Sequence, residues 1–84
     1  MSKTYELWDA GSRNLIQAYD TEADALKYIR AYVAEHGTTF AQSWILLWDD
    51  DATDEAGQIA EGQTLLALAE RDRSTPEIRR QRAV

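Results

Sequence analysis

The sequence predicts an α+β domain of order ββαββα, a four-stranded antiparallel sheet in order 2-1-3-4 with two helices on one face. Three observations lead there. Thr4 to Asp9 alternates with aromatic side chains as a strand does, and after Ala10-Gly11-Ser12-Arg13-Asn14 the chain returns over Leu15 to Tyr19, which reads as a hairpin. The period then becomes helical, with Ala25, Leu26, Ile29, Tyr32, Val33 and His36 at the spacing of one helix face. A second strand, turn, strand and helix follow, and Leu7-Trp8-Asp9 recurs as Leu47-Trp48-Asp49, the mark of an internal repeat.

Each element has a local cause. Thr21 is placed to cap the first helix, Asp24 three residues on complements the positive end of its dipole, and Gly37 supplies the stop. Residues 44–48, Trp-Ile-Leu-Leu-Trp, are apolar at every position, which predicts a strand covered on both faces. An acidic turn over residues 49–55 leads to a short fourth strand at residues 58–61. Gly62 bends the chain into a helix over residues 64–71, with Leu65, Leu66, Leu68 and Ala69 apolar. Ser74-Thr75-Pro76-Glu77 is expected to end that helix. The organisation predicted is therefore one domain, residues 1–73, followed by a flexible basic tail, residues 74–84.

If each helix crosses back over the sheet with the usual right hand, strand order 2-1-3-4 makes every pairing antiparallel and sets the two Leu-Trp-Asp strands side by side. Strand side chains alternate. With Tyr5, Leu7, Ile45 and Leu47 turned to the helices, Trp8, Trp44, Leu46 and Trp48 share the opposite face and form an apolar surface of the kind that binds a partner. A shift of one residue in phase returns the tryptophans to the core. The interface expected from the first phase is Trp8, Trp44, Leu46 and Trp48.

Composition narrows the function. The chain has 84 residues, no cysteine and one histidine, which removes disulfides, thiolate nucleophiles and cysteine-based zinc sites and fits a reducing, cytoplasmic location. No leader or apolar span stands out, so no membrane is expected. Residues 1–70 carry 4 Lys/Arg against 13 Asp/Glu, whereas residues 71–84 carry 5 against 2. His36, just before Gly37, has the place of a dipole-complementing cation rather than a catalytic base. Asp49-Asp50-Asp51-Ala52-Thr53-Asp54-Glu55 fails the calcium-loop pattern, with Asp54 where glycine is required and Ala60 where glutamate is required. No phosphate loop, dinucleotide fingerprint or nucleophile elbow occurs, and Gly11, Gly37, Gly57 and Gly62 all read as turn or cap residues.

No catalytic residue, metal ligand or cofactor is therefore expected. The reading is a non-enzymatic protein-interaction module, self-associating through its tryptophan-bearing sheet face as a homodimer or bound there by another protein. Two other readings are single-stranded nucleic-acid binding by the sheet aromatics with the arginine tail, which the acidic body disfavours, and an acidic protein that occupies a basic partner's nucleic-acid-binding surface. With Tyr5-x-Leu7-Trp8, Asp20-Thr21, His36-Gly37 and Ala60-Glu61-Gly62, residues 4–70 resemble short bacterial ββαββα proteins with no assigned activity. That resemblance implies the fold and carries no chemistry.

Overall fold

The computed structural model describes residues 3–83, with side chains through residue 72. The elements run β1 (Lys3–Asp9), β2 (Asn14–Tyr19), α1 (Glu22–His36), a 3-10 turn (Ala41–Ser43), β3 (Trp44–Asp50), β4 (Glu55–Glu61) and α2 (Gly62–Ala83). The four strands form one antiparallel sheet in the order β2-β1-β3-β4, as predicted. The helices pack together against the sheet, α1 over β1 and β2, and α2 over β3 and β4.

Helix α1 begins and ends where its caps require. The Asp24 amide donates to Thr21 Oγ1 at 3.1 Å, and the Gly37 amide donates to the Val33 carbonyl at 2.8 Å, satisfying two of the backbone groups that a helix end leaves open. Gly37 has φ 84 and ψ −175, a region in effect reserved for glycine. Helix α2 differs from expectation, since it continues through the predicted stop to Ala83. The predicted tail lies in that continuation, whose side chains are outside the described residues. The helices are tied by Arg30, whose Nη1 donates to the Ala69 carbonyl at 3.1 Å and pairs with Asp72 Oδ2 at 3.2 Å.

The duplication is real in the sheet, though out of step with the tripeptide that suggests it. Both hairpins have four-residue loops. In each, the aspartate before the loop (Asp9, Asp50) accepts on its side chain the amide two residues on (Gly11, Ala52). Its carbonyl accepts the amide four residues on (Arg13, Asp54), and that fourth residue is left-handed, with φ 61 and 60. Each hairpin also carries a bulge. Leu7 faces Gln17 and Trp8 faces Leu15, leaving Ile16 unpaired; Leu46 faces Ala60 and Leu47 faces Gln58, leaving Ile59 unpaired. Leu7 thus corresponds to Leu46, and the turn aspartate Asp9 to Asp50. The extra length of the second hairpin lies in its strands, between bulge and turn, and not in its loop. Leu7-Trp8-Asp9 and Leu47-Trp48-Asp49, one residue off either correspondence, occupy opposite faces.

The core lies between sheet and helices. Leu7, Ala25, Leu26, Ile29, Ala41, Trp44, Leu46, Ala60, Leu65 and Ala69 are buried. Two parts of the expectation are corrected here. The apolar phase of β3 is reversed: Leu46 is 0 % and Trp44 4 % exposed, and both point to the helices beside Leu7. Gly57 is no turn residue. It lies in β4 opposite Trp48, and a Cβ there would sit 2.7 Å from the indole Nε1, so glycine leaves room for the ring against the strand.

Trp44 is held from above by an aromatic row on α1. Tyr28 and Tyr32 stand one helical turn apart and so share a face. Tyr28 stacks on Trp44 with ring centroids 6.1 Å apart, Tyr32 meets it tilted at 4.7 Å, and His36 lies 4.6 Å beyond Tyr32. Tyr19 extends the row, 6.1 Å from Tyr28. The Tyr19 hydroxyl is buried and has no described hydrogen-bond partner, and burial, with Tyr28 beside it, pushes its pKa up to about 12.

Candidate functional site

Directly opposed residues in an antiparallel pair project to the same side of the sheet. Leu15, Trp8, Ile45 and Glu61 make one row across all four strands, and Ala18, Glu6, Leu47 and Gln58 make the next. Thr4, Asp49 and Ala56 add a third row across β1, β3 and β4. These residues occupy the face away from the core. At its centre stand Trp8, Ile45 and Leu47, each half-buried, beside Leu15, which is 47 % exposed.

Of the four residues expected on this face, only Trp8 lies there. Trp44 and Leu46 belong to the core. Trp48 is on the helix side too, half-buried, with Lys3 Nζ 4.8 Å from its ring centroid. The face is instead completed by Ile45, Leu47 and Leu15. The signal for them was the pairing of Trp8 with Ile45, which depends on register and is not written in the composition of β3. With one aromatic ring on the open face, the multi-ring platform on which the nucleic-acid reading rests is not assembled.

The charges on this face have one sign. Glu6, Asp49 and Glu61 project from it, and the only cation in any of the four strands, Lys3, is on the other side over Trp48. Glu6 is positioned by the site itself, because the Trp8 indole Nε1 donates to its Oε1 at 3.1 Å. That bond sets a carboxylate beside the largest apolar side chain of the patch and satisfies the indole donor.

At the loop end of β1 the first hairpin is latched to the segment before β3. Asp9 Oδ1 accepts the Gly11 amide and the Ser43 hydroxyl, both at 3.0 Å, and the Ala10 amide donates to the Ser43 carbonyl at 2.8 Å. The Ser43 hydroxyl, with the loop amides and Ser12 assisting against burial, lowers the Asp9 pKa below its ordinary 3.8. A carboxyl more acidic in the folded chain than in the unfolded one stabilises the fold above its unfolded pKa. That contribution disappears as pH falls through the lower, folded value. Asp9→Asn is therefore expected to lower stability at neutral pH and to flatten the loss of stability below about pH 4, so that the variant and the wild type converge in acid. Denaturation midpoints across that range check it, and an unaltered acid limb would count against the latch.

Elsewhere the chemistry is sparse. His36 is exposed at the end of α1, 3.5 Å from Glu35, and approaches no described nucleophile. Among the described residues no three His, Cys, Asp or Glu side chains are grouped so as to hold a metal ion, and no helix is long and apolar enough to cross a membrane. No protein-family model, curated protein or solved structure matches the chain.

Proposed function

We propose that this chain is a non-enzymatic protein-interaction module that self-associates through the open face of its sheet. The observation that supports the reading is the contiguous set Trp8, Ile45, Leu47 and Leu15 on the face opposite both helices. A water-facing antiparallel sheet ordinarily carries polar side chains there. Adjacent apolar residues with a tryptophan at the centre are the composition of an interface core, and a buried tryptophan is the commonest kind of binding hot spot. An 84-residue chain also has a small core, so burial against a second copy would add appreciably to its stability.

Light scattering over a concentration series tests the reading. The wild-type chain is expected to double its mass with rising concentration. Leu47→Asp, which sets a charge in the middle of the face, is expected to weaken association at least about thirtyfold while its circular dichroism stays that of the folded chain. A wild-type chain that is monomeric throughout would overturn the proposal.

A further inference from the structure

The open face combines an apolar centre with three carboxylates and no strand cation, and this constrains how a second copy can sit on it. Two such faces pressed together would confront Glu6, Asp49 and Glu61 with the same residues of the partner. Like charges brought together during desolvation oppose association. The face calls for an occupant that offers an aliphatic side chain within a segment of net positive charge.

The chain holds one such segment. Residues 73–84, Arg-Ser-Thr-Pro-Glu-Ile-Arg-Arg-Gln-Arg-Ala-Val, contain four arginines and a single acidic residue, with Ile78 between that residue, Glu77, and the pair Arg79 and Arg80. Over residues 1–70 the balance is reversed, 4 Lys/Arg against 13 Asp/Glu. The segment follows Asp72, which Arg30 holds in the helix layer, on the opposite side of the sheet from the open face. An intramolecular route would have to pass around the sheet edge, whereas a second copy can present its segment directly.

We infer that the open face receives the basic C-terminal segment of a second copy, Ile78 entering the patch of Trp8, Ile45 and Leu47 and the arginines meeting Glu6, Asp49 and Glu61. The inference rests on the self-association proposed above and specifies the element exchanged. Reciprocal exchange closes a twofold dimer. Arginine suits the role because its planar, weakly hydrated guanidinium pairs with carboxylates in two parallel bonds.

The test is charge reversal with rescue in the full-length chain, read as the dimer dissociation constant by light scattering. Arg79→Glu with Arg80→Glu, and separately Glu6→Lys with Glu61→Lys, are each expected to weaken association about tenfold or more. Combining all four is expected to restore most of the loss, and wild-type association is expected to weaken with added salt. Circular dichroism of each variant establishes folding. If both reversals leave the constant unchanged while Leu47→Asp still dissociates the dimer, the faces meet each other directly. The segment proposal then fails and the self-association reading stands. If the wild-type chain never associates, both fail.

Discussion

Replacing Leu46 by aspartate is expected to unfold the chain, whereas the same replacement at Leu47 is expected to leave it folded. The two residues are neighbours in β3 with identical side chains, yet Leu46 is 0 % exposed beside Leu7 and Leu47 is half-buried on the opposite face. Truncating a buried leucine costs about 2–5 kcal/mol, and a carboxylate without a partner in the cavity adds several more. A domain of this size has a total stability of roughly 4–13 kcal/mol. In dilute solution, where the wild type is monomeric, Leu46→Asp should therefore lack a cooperative thermal transition, while Leu47→Asp should keep one near that of the wild type. Equal losses at the two positions would mean that the assigned phase of β3 is wrong.

Trp44 and Trp8 are expected to differ as sharply. Trp44→Ala removes the ring on which Tyr28 and Tyr32 rest and should cost about 3–5 kcal/mol. In a domain this small that loss lowers the melting temperature by about 15–30 °C. Trp8→Ala, on the open face, should cost about 1 kcal/mol or less as a monomer. Thermal unfolding in dilute solution separates the two, and near-ultraviolet circular dichroism should lose its aromatic signal only in the Trp44 variant. If Trp8 proved the costlier of the two, the core would have been placed on the wrong side of the sheet.

These contrasts mark where the sequence is legible. Helix α1 reads correctly at both ends because Thr21 and Gly37 each perform a local task that few other residues can. Strand order follows from connection lengths and crossover hand, which survive errors of one or two residues. The phase of β3 does not survive them, since five consecutive apolar residues give alternation no purchase, and a one-residue error exchanges the faces. The bulges at Ile16 and Ile59 leave no trace in composition, because an unpaired isoleucine in a strand resembles a paired one. Gly57 resembles a turn residue until the Trp48 ring is found against it. Tyr28 falls outside the simplest apolar stripe on α1 and acquires its part only when β3 delivers Trp44 beneath it. The candidate site was legible in kind, an apolar sheet face, and in one residue, Trp8.

The sheet also joins its strands over unequal lengths of chain. β1 pairs with β2, and β3 with β4, across loops of four residues, but the seam between β1 and β3 joins residues as distant as Lys3 and Asp50. Closing a short hairpin takes microseconds, and the entropy of bringing ends together grows with the chain between them. The two hairpins are thus the local part of the sheet, and the central pair is the part whose formation loop-closure entropy opposes most. The sequence separation that sets this protein's contact order is concentrated in that one seam, and α1 is the larger part of the chain that spans it.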